Sequence, residues 1–328
     1  MTTVAVNDWI RSYWQTQAIG VVAELGIADR LVDGPMDVEA LAAACDVAPD
    51  PLYRVLRALA SIGIFREEPP RAFGLTPMAA ELRTDRPSGQ AAFALFHFRE
   101  FYAAWTGLLD AVRTGRPAFQ TVFGQSLFDY LVDNPDRGAV FDRAMRGAHD
   151  RETVPVLDAC DWAGFNSVVD VGGGNGSVVA AMTARFPGID ATLFDLPEVV
   201  RRASVELQAA AVACHIVGGS FFDSVPPGAD AYLLRHIVHD WDDADAVRIL
   251  ERCREAAHQA GRVLVVETVI PSGNTPFLGK WRDLSMLVIG GRERTAEEYV
   301  ELFRKAGLRL TRIVPTQVDV SIVEGVPM

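Results

Sequence analysis

The sequence predicts an α/β fold, a Rossmann-like sheet with helices on both faces, preceded by a mainly α-helical domain that contains a winged helix. Three observations predict it. Apolar residues recur every three or four positions through most of residues 1–160. From residue 161 onward, short β-branched runs alternate with amphipathic helical segments, as in a parallel sheet. The first run ends in four clustered glycines. We therefore expect two domains, residues 1–160 and 161–328.

The helical domain contains a recognisable unit in residues 36–67. This segment predicts a short helix, a turn at Pro49 and Pro51, a longer helix and an apolar strand. A second strand is expected in PPRAFGLTP. Two helices and a two-stranded wing make a winged helix, which is commonly used to bind DNA. The second helix carries only two basic residues, Arg54 and Arg57. A role of the winged helix in protein packing is therefore favoured over DNA binding.

The second domain is predicted from its strands. Five candidates are SVVDV, ATLFD, CHIV, AYLLR and RVLVVET. In an open parallel sheet, ligands bind at the carboxyl ends of the strands, where the strand order reverses. Glycines directly after the first strand let the backbone turn tightly and approach a ligand. A tight strand-to-helix turn without a ligand is the structural alternative.

Composition limits the class of partner. The chain has 31 lysines and arginines against 43 aspartates and glutamates, a formal net charge of −12. Nucleic acids and anionic membranes are bound by basic patches, so a small ligand is the better expectation. The sequence shows no signal-peptide pattern and no run of about 18 uncharged apolar residues. Four well-separated cysteines are interpreted as reduced thiols. A cytoplasmic protein is expected.

The cofactor is predicted from two positions. Asp195 ends the second strand, where a carboxylate can accept hydrogen bonds from both ribose hydroxyls. NAD and S-adenosylmethionine both contain such a ribose. The dinucleotide fingerprint requires glycine at position 177, where this chain has Ser177. The spacing favours S-adenosylmethionine, and an NAD-dependent oxidoreductase and a non-catalytic winged-helix regulator stay open as functions of other classes.

Four motifs carry a family resemblance. VDVGGGNG, FDLP, HDWDD and GGRERT follow one another in this order. With them the chain resembles, over nearly its whole length, the O-methyltransferases of the plant caffeate and hydroxyindole type, including bacterial members that methylate natural products. The resemblance implies methyl transfer from S-adenosylmethionine to a hydroxyl, phenolic in kind, of an aromatic small molecule. It also implies an N-terminal domain that forms a homodimer. N-methylation, or a relative that transfers no methyl group, remains open.

The resemblance places the general base at His239, the histidine of HDWDD. A phenol has a pKa near 10 and a histidine near 6.5, so a neutral imidazole can take the proton as the oxygen attacks. His236, three residues earlier, is the competing candidate. Glu267 and Glu293 match the two acids that orient the base in the family. Solvated ion pairs are the ordinary alternative for both acids.

The resemblance also gives the ligand-binding residues. The cofactor set is Gly172, Gly174, Asp195, Leu196, Ser220, Phe221 and Arg235. Ser220 stands where the family commonly has an aspartate that binds the adenine amine, so weaker adenosine affinity is expected. The acceptor set is Phe141, Met145, Asp283 and Met286, with Trp105 and His149 as further candidates. Methionine and phenylalanine suit a flat ring, although Phe141 and Met145 also fit an ordinary core stripe.

No metal is expected. Magnesium needs oxygen ligands, and this chain has a histidine where the smaller catechol methyltransferases need acids. The acids of HDWDDAD follow a strand and begin a helix, where they can cap it and complement its dipole.

Overall fold

The computed structural model describes residues 6–328. They divide into two compact units, the first containing the chain up to Leu109 and Phe119–His149, the second Asp110–Ala118 and Asp150–Met328. The division falls inside one helix, Pro135–Ala159. The change of sequence pattern near residue 160 therefore marks the end of this helix at Ala159, and the division between the units lies earlier, between His149 and Asp150.

The chain before residue 160 is mainly helical. A π-helical turn, His97–Phe101, follows the seventh helix. The helices are α1 (Val6–Arg11), α2 (Tyr13–Glu24), α3 (Ile27–Arg30), α4 (Val38–Cys45), α5 (Pro49–Ala60), α6 (Pro77–Ala80), α7 (Gln90–Phe96), α8 (Tyr102–Trp105), α9 (Leu108–Thr114), α10 (Ala118–Phe123), α11 (Leu127–Asp133) and α12 (Pro135–Ala159).

The winged helix is present, with one more strand than predicted. β2 (Phe65–Glu68) and β3 (Ala72–Leu75) form the predicted antiparallel wing, and β1 (Met36–Asp37) pairs with the other edge of β3. The predicted turn at Pro49 and Pro51 is wrong, because α5 begins at Pro49. A proline has a fixed φ and no N–H to leave unpaired, so it suits the first turn of a helix.

The second unit is built on a seven-stranded sheet within the described residues. All five predicted strands are confirmed, and they run parallel: β4 (Ser167–Val171), β5 (Asp190–Asp195), β6 (His215–Gly218), β7 (Ala231–Arg235) and β8 (Arg262–Glu267). Two short strands, β9 (Val269–Ile270) and β10 (Arg294–Thr295), pair apart from this sheet. β11 (Leu308–Pro315) and β12 (Ser321–Pro327) complete the order β11-β12-β8-β7-β4-β5-β6 as antiparallel strands that the sequence did not predict.

Helices cover both faces of the sheet. α13 (Ser177–Arg185) and α14 (Pro197–Ala209) pack on one face, and α15 (Asp243–Ala256) and α17 (Ala296–Lys305) pack on the other. A fifth helix of this unit, α16 (Gly279–Ile289), lies beside β9. Alternate residues of β8 enter two separate apolar cores: Val263 and Val265 pack with α15 and α17, while Leu264 and Val266 pack with α13 and α14. Burial of both faces is the reason these strands are continuous apolar runs.

The strand order reverses beside β4. From β4 the chain moves outward to β5 and β6, then returns to the other side of β4 to form β7 and β8. The loops at the carboxyl ends of these strands therefore diverge, which leaves space for a ligand. None of the helices within residues 6–328 combines the length and apolarity needed to cross a membrane.

Candidate active site

The turn after β4 leaves its backbone open to a ligand. Gly172 and Gly174 have φ angles of 70° and 59°, in the left-handed region that glycine enters without strain. A Cβ added to Gly172 would lie 2.4 Å from Ile237 Cδ1, whereas a Cβ on Gly174 would meet nothing within 4 Å. The space beside Gly174 can therefore admit another molecule close to the main chain.

Asp195 is fixed at the end of β5 by two backbone groups. The N–H of Gly174 donates to Asp195 Oδ2 over 2.8 Å, and the N–H of Leu196 donates to Oδ1 over 2.7 Å. Each carboxylate oxygen has a second lone pair, so both can still accept from ribose hydroxyls. Leu196 is 44% exposed beside it. The geometry of Asp195 fits the predicted ribose contact.

Asp170 lies beside the glycine turn at the end of β4, and the sequence pattern predicted no role for it. Its carboxyl is buried inside the β4 end, and among the described residues its Oδ2 atom has no hydrogen-bond partner. Burial raises its pKa to about 7, although the nearby Arg235 acts in the opposite direction. A buried acid that lacks a donor beside a ligand turn is suited to a cationic ligand. S-adenosylmethionine carries such charges, so these residues fit it. An acid inside the apolar strand SVVDV was the available signal.

The other predicted cofactor residues follow neighbouring strands. Ser220 comes after β6, and its hydroxyl accepts the N–H of Phe222 over 3.2 Å. Phe221 packs edge-on to Trp241 with ring centroids 6.0 Å apart. Arg235 ends β7, where its guanidinium donates to Thr153 over 3.0 Å and to Ser177 over 3.3 Å. The sheet order places β7, β4, β5 and β6 side by side, so it brings the predicted cofactor set together.

His239 lies in a 3₁₀ turn after β7, Val238–Asp240. Its Nδ1 atom is 3.1 Å from Glu293 Oε1 and 3.1 Å from Glu267 Oε2. Its backbone N–H also donates to Glu267 Oε1 over 3.2 Å. Both carboxyl side chains are fully buried, so neither forms a solvated ion pair, which was the ordinary alternative for these two acids. The structure brings the three predicted residues into one buried cluster.

The GGRERT loop clamps this turn through its backbone. The N–H of Arg292 donates to the His239 carbonyl over 2.6 Å. A Cβ at Gly291 would lie 2.1 Å from the same carbonyl oxygen, so only glycine allows the approach. Arg294 is buried and donates to the carbonyl of Val238 and to Asp243. These contacts explain how Glu293 reaches His239.

The carboxylates determine the protonation of His239. Burial alone would lower its pKa, but the charges of Glu267, Asp240 and Glu293 outweigh burial and raise it to about 10. Burial raises the pKa of Glu267 to about 8 against the attraction of His239, and that of Asp240 to about 6. A base pKa near 6.5, the expectation from the sequence, does not hold in this cluster. Nε2 is 3.5 Å from Asp240, and Nδ1 is engaged by Glu293.

The competing histidine, His236, belongs to the same cluster. Its ring centroid is 5.2 Å from that of His239, and its Nε2 atom lies 2.5 Å from Glu152 Oε2 on α12. Glu152 belongs to none of the sequence motifs, so its contact with His236 was not predicted. Ligand atoms of His236, His239 and Glu267 lie within 4.8 Å of one another. This spacing has room for a metal ion as well as for shared protons.

The predicted acceptor residues divide between the two units. Phe141, Met145, Trp105 and His149 lie in the first unit, where the Phe141 ring packs 5.1 Å from that of Phe96. Asp283 and Met286 lie on α16 in the second unit. Asp283 accepts the N–H of Glu293 over 3.0 Å, which gives it a structural contact beside His239 and its acids. Their acceptor roles remain predictions.

Two family descriptions match the chain. An O-methyltransferase domain matches residues 105–309, and an O-methyltransferase dimerisation domain matches residues 7–85. Together they cover most of the sequence.

Curated relatives align over nearly the whole length. A phenazine O-methyltransferase of Lysobacter antibioticus is 43% identical and covers 97% of this chain and 94% of its own. A mitomycin biosynthesis 6-O-methyltransferase of Streptomyces lavendulae is 37% identical, with 94% and 90% covered. An 8-amino-8-demethylriboflavin N,N-dimethyltransferase of Streptomyces davaonensis is also 37% identical, with 90% and 86% covered.

Solved structures agree with the fold and the cofactor. The crystal structure of LaPhzM superposes with a TM-score of 0.94 at 43% identity, covering 98% of each chain. That of NcsB1, an O-methyltransferase from neocarzinostatin biosynthesis in complex with S-adenosylmethionine and 2-hydroxy-5-methyl naphthoic acid, superposes with a TM-score of 0.87 at 32% identity, covering 100% of each. The chain therefore belongs to the O-methyltransferase family with an N-terminal dimerisation domain, and its cofactor is S-adenosylmethionine.

Proposed function

We propose that this enzyme methylates a phenolic hydroxyl of an aromatic natural product, with His239 as the general base. The observation that carries the proposal is the placement of Glu267 and Glu293 on one imidazole nitrogen of His239. This arrangement directs Nδ1 to the two acids, so the acceptor would approach Nε2, which lies 3.5 Å from Asp240 Oδ1. It resembles the acid–histidine pairing that orients a base and stabilises its charged form in other enzymes.

The basicity of His239 matches a phenol. Moving a proton from a phenol of pKa near 10 to an ordinary imidazole of pKa near 6.5 costs about 5 kcal/mol. With the pKa of His239 raised to about 10, the transfer from the phenol to the neutral ring is nearly balanced, although the ring must first lose its own proton at neutral pH. The imidazolium formed by the transfer is then stabilised by the Glu293 carboxylate on Nδ1. An aromatic amine attacks through its own lone pair and gains less from such a base, so O-methylation is favoured.

The remaining residues of the site hold ligands. S-adenosylmethionine, when bound, supplies an electrophilic methyl group on a positively charged sulfur. Asp195 would accept the ribose hydroxyls, and Phe221 would pack on the adenine. The buried Asp170 carboxyl would accept a cationic group of the cofactor. Ser220 offers a neutral oxygen at the adenine, so we propose a cofactor affinity below that of relatives with an acid there.

We propose an aromatic acceptor from two lines of support. The relatives named above act, by their names, on phenazine, mitomycin and riboflavin compounds. In this chain Phe141, Met145, Trp105 and Met286 are the apolar side chains proposed to contact the ring, with Asp283 and His149 as polar partners. Methionine sulfur and aromatic rings pack well on flat acceptors.

Three further features belong to the proposal. The transfer needs no metal ion, because the base and the cationic sulfonium supply the required activation. The enzyme acts as a homodimer through residues 7–85, the range matched by the dimerisation domain. Its four cysteines are free, as suits a reducing cytoplasm.

The test is a transfer assay with cofactor labelled in its methyl group. The protein is incubated with a panel of phenolic, hydroxyphenazine and aminoaromatic acceptors, with and without a chelator, and the products are located by mass spectrometry. Label on a phenolic oxygen, undiminished by the chelator, is the expected result. Label on nitrogen alone would overturn O-methylation, and loss of transfer that added magnesium or zinc restores would overturn metal independence.

A further inference from the structure

His236 is a buried polar neighbour that the reaction above does not use. Its Nε2 atom lies 2.5 Å from Glu152 Oε2, and the two side chains are only 4% and 12% exposed. On the other side of the ring, Nδ1 lies 3.7 Å from Glu267 Oε2. The same Glu267 oxygen is 3.1 Å from His239 Nδ1. Glu267 therefore stands between two imidazole rings.

The position of His236 is fixed at a backbone cost. Its φ angle is 55°, which is uncommon for a residue other than glycine. The N–H of His236 donates to the Val266 carbonyl over 3.2 Å. Arg235, the residue before it, donates to Thr153, the residue after Glu152. Glu152 and Thr153 of α12 thus hold His236 and Arg235 at the end of β7. A strained backbone angle that is held by side-chain contacts is typical of functional positions.

Glu152 determines which nitrogen of His236 carries the proton. A carboxylate only accepts hydrogen bonds, so ionised Glu152 places the proton of a neutral ring on Nε2. Burial, and then the charges of His239, Arg235 and Arg282, lower the pKa of His236 well below its usual value and keep the ring neutral. The Nδ1 lone pair then points towards Glu267 Oε2. At 3.7 Å this contact is electrostatic, and it disfavours negative charge on that oxygen.

Glu267 and Glu293 compete for one N–H group. The Nδ1 atom of His239 has a hydrogen bond with Glu293 Oε1. Glu267 Oε2 has no hydrogen-bond partner among residues 6–328, although its side chain is fully buried. Leaving such an oxygen ionised without a donor is costly. Asp240 and Tyr299 interact electrostatically with both acids, and Asp283 interacts with Glu293.

We propose that Glu152 and His236 form a positioning pair that keeps Glu267 uncharged and leaves Glu293 as the single ionised carboxylate on Nδ1 of His239. The proposal rests on the proposed function, since it concerns the base of that reaction. With one ionised carboxylate on Nδ1 instead of two, the imidazolium of His239 releases its proton at a lower pH. The pair therefore makes the base available nearer to neutral pH.

Infrared difference spectroscopy of the cofactor-free protein tests the charge of Glu267 without any turnover. At pH 7 the spectrum of the wild type minus that of Glu267→Gln should contain the carbonyl stretch of a protonated carboxyl group. Glu152→Gln removes the charge that fixes the tautomer, so the ring can turn its proton to Nδ1 and stabilise the Glu267 anion. The spectrum of Glu152→Gln minus that of Glu152→Gln/Glu267→Gln should then lack the band of the protonated carboxyl group.

Kinetics give the second readout. In Glu152→Gln the added anion should raise the pKa of His239 by about one unit or more, so kcat/KM at pH 7 should fall about tenfold or more. The loss should shrink as the pH rises past the pKa of the base. His236→Asn, which tolerates the positive φ angle, should behave alike, and Glu152→Asp should recover part of the loss. Glu301→Gln removes an exposed acid paired with Arg304 and serves as the control.

The outcomes separate this inference from the proposed function. A carboxyl band that persists in Glu152→Gln, or a loss of kcat/KM that is equal at every pH, would overturn the positioning role. Failure of the wild type to methylate any acceptor would overturn the proposed function, and the infrared band would still report the state of Glu267.

Discussion

Glu293 Oε1 and His239 Nδ1 lie 3.1 Å apart although 54 residues separate them in the chain. The contact exists because the GGRERT loop binds the His239 turn through main-chain atoms. Arg292 donates to the His239 carbonyl, and the glycine at position 291 leaves space for that approach. The loop therefore fixes the carboxylate and the ring relative to one another, and the base chemistry proposed for Nε2 depends on both.

Removing the base should affect chemistry and spare cofactor binding. His239→Gln should lower kcat by about 10² to 10⁴, since a positioned base contributes an effect of this size. Glu293→Gln should lose less, because it only orients the ring and stabilises its charge. Single-turnover rates and calorimetry with S-adenosylhomocysteine measure the two effects separately. Near-normal turnover in His239→Gln would transfer the role to His236 or to unaided ionisation of the acceptor.

The rate should continue to rise with pH beyond 6.5. His239 acts as a base only when neutral, and its raised pKa, about 10 without cofactor, keeps it protonated at neutral pH. A cationic cofactor repels the imidazolium, so the midpoint for the cofactor-bound enzyme should lie between 6.5 and 10. A kcat/KM profile at saturating cofactor measures it. A plateau reached below pH 6.5 would show that the carboxylates do not control this ring.

Much of the fold follows from local sequence patterns. Strands β4, β7 and β8 are apolar runs because both faces of the sheet are covered there, and each run can be recognised without knowing its partners. β11 escaped prediction for the opposite reason. It is an edge strand with a register shift between Leu310 and Arg312, and its burial does not alternate regularly. Only pairing with β12 defines it.

The candidate site was predictable where motifs exist. His239, Glu267 and Glu293 were assigned from motif resemblance, although the contacts of His239 with Glu267 and Glu293 span 28 and 54 residues. Glu152 lies 84 residues from His236 and has no distinguishing pattern, since an acid on a helix is ordinarily solvated. The base's raised pKa could not be predicted either, because it results from burial and three-dimensional distances.

Asp195 should dominate cofactor binding. Asp195→Ala removes both acceptors proposed for the ribose hydroxyls and frees the N–H groups of Gly174 and Leu196. The loss should be about 1 to 3 kcal/mol in binding free energy. Calorimetry with S-adenosylhomocysteine measures it, with Asp223→Asn, an exposed acid of the same unit, as the control. Equal affinity in Asp195→Ala and wild type would remove this residue from the site.

The N-terminal helices should form the dimer contact. α1 buries none of its residues, and Trp9, Ile10 and Trp14 are 66%, 64% and 56% exposed. Exposed aromatic residues grouped in this way are typical of interaction surfaces. Trp9→Ser/Trp14→Ser should shift the protein towards monomers in sedimentation at micromolar concentration. Val205→Ser, which removes an equally exposed apolar side chain from α14, should leave the dimer intact. A wild type that sediments as a stable, active monomer would contradict the proposed homodimer.

Asp170 should make the cofactor-free protein less stable as pH rises. Burial raises its folded-state pKa to about 7 from the usual 3.8, so between these values the folded protein keeps a proton that the unfolded chain releases. The stabilisation is complete below pH 3.8 and is lost as pH rises towards 7, with a slope of about 1.4 kcal/mol per pH unit. Asp170→Asn removes this titration. The free energy of unfolding, measured with urea from pH 5 to 7, should therefore fall less steeply in Asp170→Asn than in the wild type, whereas Asp223→Asn should follow the wild type. Parallel curves for Asp170→Asn and wild type would mean that Asp170 is ionised in the folded protein, and a cationic cofactor would then meet a charge already present.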